Sequence, residues 1–372
     1  MNSFCSSALI KNIDEVAQYD ILNKKIFGSA YFVYHKGNGI ERCYGTTSPY
    51  SDTPVTNTTV FRLASMTKPI TTVATMILVE RGLISLEDTV DRFLPEFKNI
   101  KIVDIEGNVS VPKKIPTVKT ILTHSSGIGS YQEKMKNMTA QDKRTLDSSV
   151  GFYLNLGLDF EPDSIQKYSG VAAFDVLTKI VEIVSKTDFL EFLKKEIFEP
   201  CSMCDTTFIP SQEQWERMIE MHDRVNGENA VFKMPDNCVF SDVPCTHYLG
   251  GAGLASTMQD YCKFAKMLLD FGQAKNKRIL KEETVRLIST PHFHKINNEF
   301  WGLGMRVIGK NAHSCLPEGC FGWSGAYGSH FWIDPKNDIF AVFMKNSRVD
   351  GGAANESAKN FEKAVYSSFS GE

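Results

Sequence analysis

A membrane-spanning helix needs about 20 consecutive apolar residues. This 372-residue chain has no such run, and its best, residues 73–79, stops far short. The opening Met1-Asn-Ser-Phe-Cys-Ser-Ser-Ala-Leu-Ile-Lys11 lacks the basic start and long apolar core of a secretory signal. The expected compartment is therefore the cytoplasm. An excess of one charge is missing too. With 41 basic and 44 acidic side chains the net charge is -3, which leaves no field to gather nucleic acid or an anionic membrane. Nine cysteines, from Cys5 to Cys320 and including Cys245, are odd in number and irregular in spacing, so they do not make a complete disulfide framework. Cys201-Ser-Met-Cys204 has C-x-x-C spacing, but no second pair or redox-type βαβ pattern accompanies it, and packing is the better account. No glycine-rich phosphate cradle appears. His292-Phe293-His294 follows Pro291 with no carboxylate in view and reads as a solvated loop, so no metal and no cofactor are expected.

What is present suits a globular enzyme. Hydrophobic residues make up 42% and charged residues 23%, enough for one large domain or two lobes sharing a core. Periodicity predicts an amphipathic helix over 8–22, then strands at 29–35 and 40–44 joined through Lys36-Gly37-Asn38-Gly39, with Asn-Gly as the hairpin signal. A short strand at 60–63 follows. From 71 to about 290 the pattern is mostly helical, with clear apolar faces over 171–185, 260–271 and 282–288. Strands return at 329–333 and 339–344, and a last helix covers 356–369.

The most informative motif is Ser65-Met66-Thr67-Lys68, where the short strand gives way to a helix. A serine hydroxyl becomes a useful nucleophile when a base lies within hydrogen-bond reach and the developing oxyanion meets fixed dipoles. Residues three apart share a helix face, so Lys68 can lean back over Ser65. Pro69 fits a first helical turn, an apolar stripe runs through Met66, Ile70, Val73, Ala74 and Ile77, and Gly82 is the expected stop. Ser-x-x-Lys also occurs at Ser110 and Ser164, but only Ser65 has the strand, the helix start and the stripe together. Taken alone, an N-cap serine beside a solvated lysine accounts for the motif equally well. Thr123-His124-Ser125-Ser126-Gly127 lacks the first glycine and the strand-turn-helix setting of a nucleophile elbow. His247, beside Tyr248 and Gly250-Gly251, is a candidate for the cleft wall that shapes substrate choice.

Further segments follow Ser65 in order. Phe160-Glu-Pro-Asp-Ser-Ile-Gln-Lys-Tyr168-Ser169-Gly170 opens a second amphipathic helix, and Gly322-Trp323-Ser324-Gly325-Ala326-Tyr327-Gly328 leads into a strand. Ile121-Leu-Thr-His124-Ser-Ser-Gly127, Ile197-Phe-Glu-Pro200 and Gly250-Gly-Ala-Gly-Leu254 lie between and around them. Over most of its length the chain resembles the class C β-lactamase and penicillin-binding-protein-like family of serine hydrolases.

That resemblance implies an α+β, β-lactamase/transpeptidase-like fold: residues 1–70 and 295–372 build an antiparallel sheet flanked by helices, and 71–294 a mainly helical lobe. It assigns Ser65, Lys68 and Tyr168 to catalysis and the backbone N–H groups of Ser65 and Ala326 to an oxyanion hole. Ser169, Gly170, Trp323, Ser324 and Gly325 would line the substrate. A phenol needs a cation beside it to carry a proton between nucleophile and leaving group, and Lys68 can supply one. Two departures matter. Lactamases place Lys-Thr-Gly where this chain has Trp323-Ser324-Gly325, and Tyr168-Ser169-Gly170 lacks the asparagine that would bond a substrate amide. Tryptophan cannot pair with a substrate carboxylate. Trp323 reads either as an apolar wall for an acyl ester or as a core aromatic. Arg306 and Lys345 are the cations whose placement decides whether a charge replaces the lysine.

The expected function is hydrolysis of small acyl esters, with amides as neighbours, through an acyl-enzyme on Ser65. The alternatives are a β-lactamase or carboxypeptidase-like peptidase, an acyltransferase, and a silent ligand-binding protein of the same fold. Oligomeric state has no sequence signal.

Overall fold

The computed structural model describes residues 6–244, 246–275, 277–294 and 297–369. Residues 1–5, Cys245 and the boundary expected at residue 295 lie outside the described residues.

The first helix, Ser6–Leu22, leads into a hairpin of β1 (Gly28–His35) and β2 (Asn38–Gly45). His35 pairs with Asn38, so the turn is Lys36-Gly37, earlier than the Asn-Gly signal implies. Both turn residues have positive φ, 46° and 88°, as a type I′ turn demands. Asn38-Gly39 opens β2 instead.

Next, β3 (Val60–Arg62) runs into a tight turn at Ala64–Met66 and the helix Thr67–Glu80. That helix is buried almost throughout, as expected of one apolar beyond a single stripe. It ends in a Schellman motif, with Leu83 N–H donating to Leu78 O, Gly82 N–H to Val79 O, and Gly82 at φ 68°.

The middle of the chain is less helical than its periodicity suggests. It holds the hairpins β4 (Ile102–Val103) with β5 (Val109–Ser110) and β6 (Met221–Val225) with β7 (Glu228–Phe232). It also holds β8 (Ala255–Thr257), which pairs antiparallel with β3. Strands of two to five residues are too short for alternation to show.

After them come β9 (Phe293–His294), β10 (Glu299–Trp301), β11 (Arg306–Ile308), β12 (Phe321–Ser324), β13 (His330–Asp334) and β14 (Ile339–Met344). With β1 and β2 they form an eight-stranded antiparallel sheet in the order β2-β1-β14-β13-β12-β11-β10-β9. The segment expected to be a solvated histidine loop is in part its edge strand: His294 pairs with Phe300, and its ring packs edge-on against that ring.

Alternation along the strands assigns the two faces. Tyr31, Val33, Trp332, Ala341 and Phe343 pack against the first helix and the last, Glu356–Ser367. Phe331, Ile333, Phe340 and Val342 turn the other way, into the main core with the helices Thr67–Glu80 and Met258–Leu269. This is the α+β sheet-and-helix architecture expected. Among the described residues no helix is long and apolar enough to cross a membrane.

Candidate active site

Ser65 sits in the turn between β3 and the buried helix. Ala64 before it holds φ at 46°, a left-handed conformation that non-glycine residues avoid, so strain is stored next to the hydroxyl. Met66 N–H donates to Leu63 O at 3.1 Å, and Leu63 N–H to Leu254 O at 2.9 Å, which pins this turn to the chain before β8.

One helical turn on, Lys68 is fully buried and its ammonium faces three oxygens. Nζ donates to Gly170 O at 2.5 Å, to Gly251 O at 2.7 Å and, more weakly, to Ser65 Oγ at 3.4 Å. No carboxylate among the described residues forms an ion pair with it. The charge rests on carbonyl dipoles and on the faces of Tyr168 and Phe174, whose ring centres lie 5.0 and 5.3 Å away.

Tyr168 comes from the loop before the helix Ala172–Ser185, and its hydroxyl donates to Ser65 Oγ at 2.8 Å. Two groups from distant segments, Lys68 and Tyr168, therefore converge on the Ser65 oxygen. This is the arrangement in which a serine proton can be passed on.

The far wall is the end of β12. Glycine is required at 325: a Cβ there would fall 2.4 Å from Leu63 O and 2.5 Å from Ser329 Oγ. Ala326 follows on an exposed turn. Its carbonyl accepts from Gly352 N–H at 2.8 Å, while its own N–H donates to no acceptor among the described residues. The close approach of Gly325 to Leu63 brings that turn beside the start of the serine's own turn, where N–H groups lack helical partners.

The remaining expected substrate contacts fall out differently. Ser169 Oγ accepts from Ala173 N–H at 3.0 Å, so it caps the helix rather than facing the cleft. Gly170 serves through its carbonyl, as the acceptor for Lys68. Ser324 lies on the opposite sheet face from Trp323, its hydroxyl 2.8 Å from His330 Nδ1, while His330 Nε2 lies 2.9 Å from Glu362 Oε1. Burial pushes the Glu362 carboxyl up, but His330 and Arg306 outweigh it and its net shift is downward. Trp323 is buried, its ring 4.5 Å from Trp301 and 5.4 Å from Tyr168. It backs the Tyr168 phenol more than it offers a free face.

Neither candidate replacement cation is spare. Arg306 pairs with Glu299 at 3.5 Å and with Glu362 at 3.2 Å, and Lys345 is buried and 2.5 Å from Asp350. His247 is half-buried and lines a cavity with Val171, Phe240 and Leu249. Its Nδ1 lies 3.1 Å from Lys143 O and its Nε2 3.6 Å from Asp175.

Sequence reasoning passed over His124. Its ring is 1% exposed and lies 4.5 Å from the Tyr168 ring. Burial first, and then the Lys68 charge, hold this imidazole well below its ordinary value, so it is neutral. The available signal is its place in Ile121-Leu-Thr-His124-Ser-Ser-Gly127, a segment that belongs to the family resemblance without pointing to a role for its histidine.

The Beta-lactamase family matches residues 8–364. Protein Rv1367c of Mycobacterium tuberculosis is 28% identical over 81% of this chain and 82% of its own. Esterase EstB of Burkholderia gladioli is 24% identical over 94% of this chain and 93% of its own. Among solved structures, EstCE1, described as a hydrolase with promiscuous acyltransferase activity, superposes with a TM-score of 0.84 at 22% identity, covering 98% of this chain and all of that one. With a family match running almost end to end, the chain belongs to the beta-lactamase family, as a class C and penicillin-binding-protein-like serine hydrolase in a group that includes esterases and acyltransferases.

Proposed function

We propose that this protein hydrolyses small acyl esters through an acyl-enzyme on Ser65. The observation that carries the reading is the meeting of Tyr168 and Lys68 on Ser65 Oγ, at 2.8 and 3.4 Å. With the Tyr168–Lys68 pair one proton short of its phenol–ammonium form, Ser65 Oγ attacks the ester carbonyl as its proton passes to the Tyr168 oxygen. The tetrahedral oxyanion takes hydrogen bonds from the N–H groups of Ser65 and Ala326, each worth roughly a hundredfold or more in rate. Collapse expels the alkoxide, which leaves with that proton as the alcohol. Water then enters and attacks the acyl carbonyl as its proton passes to the same pair, and collapse releases the acid while that proton returns to Ser65 Oγ.

One observation supports an ester over a lactam. The cations that could replace the lactamase lysine are committed to Glu299, Glu362 and Asp350. EstB is named an esterase, in line with hydrolysis. The description of EstCE1 favours acyl transfer as the neighbouring reading, with an alcohol replacing water in the second step.

The test is labelling with a fluorophosphonate followed by peptide mass spectrometry. The adduct is expected on Ser65 and absent from Ser65→Ala. Label elsewhere, or none on folded protein that turns over no ester, supports the silent binding protein.

A further inference from the structure

The N–H groups of both residues flanking Tyr168 end on one residue. Lys167 N–H donates to the backbone carbonyl of His124 at 2.9 Å, and Ser169 N–H donates to His124 Nδ1 at 3.2 Å. The imidazole is wedged among Tyr168, Trp301 and Phe174, with ring centres 4.5, 4.6 and 5.5 Å away. One residue later in the same loop, Gly170 O takes the Lys68 ammonium. A shift of this loop would therefore move the phenol and the lysine's carbonyl anchor together.

Any residue at 124 supplies the carbonyl. Only a side chain with an acceptor at the Nδ1 position serves Ser169, whose N–H would otherwise be left unpaired inside the protein. To accept, Nδ1 must carry no proton, so the neutral ring holds its hydrogen on Nε2. The neutral state set by burial and by Lys68 matches that requirement. His124 also holds φ at 55°, which asparagine tolerates better than most residues.

We propose that His124 is the positioning residue for Tyr168: a neutral acceptor that fixes the 167–170 backbone so that the phenol stays on Ser65 Oγ. This rests on the reading of Tyr168 as the proton carrier. A misplacement of about 1 Å at a reacting group can lower the rate about a hundredfold.

The experiment measures kcat and KM for p-nitrophenyl butyrate in His124→Phe, His124→Asn and Tyr168→Phe, and in the double variant His124→Phe/Tyr168→Phe. Phenylalanine keeps the ring volume without the acceptor, and kcat should fall about a hundredfold with KM little changed. The Asn Oδ1 takes nearly the place of Nδ1, and His124→Asn should recover most of the rate. In the Tyr168→Phe background, His124→Phe should cost nothing further. His124→Ala serves in the same comparisons should phenylalanine block folding. An equal loss in His124→Asn and His124→Phe, the same loss with and without Tyr168, or a loss confined to KM would each overturn the proposal. Wild-type turnover by Tyr168→Phe would instead overturn the proton role of Tyr168, and the positioning role with it.

Discussion

Gly325 and Leu63 touch through backbone alone. A methyl group at 325 would stand 2.4 Å from the Leu63 carbonyl oxygen, and Leu63 is two residues before the nucleophile. The strand that leads to the Ala326 turn and the turn that carries Ser65 are thus spaced by the absence of one side chain. Neither carbonyl nor strand can yield without moving Ser65 or Ala326.

Gly325→Ala should therefore damage turnover more than stability. Overpacking of this kind costs about 1–3 kcal/mol, whereas a displaced oxyanion donor costs about 100-fold or more in kcat. Thermal unfolding and ester kinetics on the same preparation separate the two effects. A variant with full kcat would show that the spacing does not matter for catalysis.

Lys68→Ala and Tyr168→Phe should each reduce kcat severely, and the double variant should be little worse than either. The two differ in stability. Removing Lys68 leaves the buried Gly251 carbonyl and the Gly170 carbonyl without their donor, at about 1–3 kcal/mol for each group that water cannot reach. Removing one phenolic oxygen strands much less. Additive losses in kcat would mean that the two groups handle separate protons.

The meeting of Ser65 and Lys68 was legible because the two stand three apart, across the tight turn and the first turn of the helix that follows it. Side-chain direction was not legible. Ser324 points to His330 and Trp323 to Trp301 because they alternate on a strand whose register depends on β11 and β13. Short strands hid as well: β9 has two residues and β10 three, and neither carries a period. The Asn-Gly signal misled because a hairpin turn is set by register, and Lys36 accepted a positive φ that its residue type does not advertise. The role of His124 depends on a contact across 45 residues to Ser169, which no local pattern encodes.

Folding stability should depend on pH through His247. Burial pulls its imidazole down, but the hydrogen bond and charge of Asp175 outweigh that, and its net shift is upward. A group whose folded value is raised contributes stability that is complete below its unfolded value, about 6.5, and is lost as pH rises through the folded value. His247→Phe should therefore destabilise the protein more at about pH 5.5 than at about pH 9. Denaturant unfolding of both proteins at the two pH values checks the sign. A difference that grew with pH would mean that His247 is held neutral.

Short acyl esters should be hydrolysed far faster than chromogenic cephalosporins. A lactam antibiotic brings a carboxylate that lactamases meet with the lysine of Lys-Thr-Gly, and here Trp323 occupies that place, buried against Trp301 and Tyr168. Arg306 is held between Glu299 and Glu362, and releasing it would take from the buried Glu362 carboxylate one of its two partners, leaving His330 alone. Lys345 is sealed against Asp350 below Gly328, where its Cε would lie 2.2 Å from an added Cβ. A desolvated carboxylate without a cation costs several kcal/mol, enough for about a thousandfold loss in rate. The measurement compares kcat/KM for p-nitrophenyl butyrate with that for the cephalosporin. Equal values would show that a cation reaches the substrate by another route, and Trp323→Lys should then add nothing. If the ester is preferred by the expected margin, Trp323→Lys becomes the informative variant. It places an ammonium where the lactamase carries one, and the ratio should shift toward the cephalosporin.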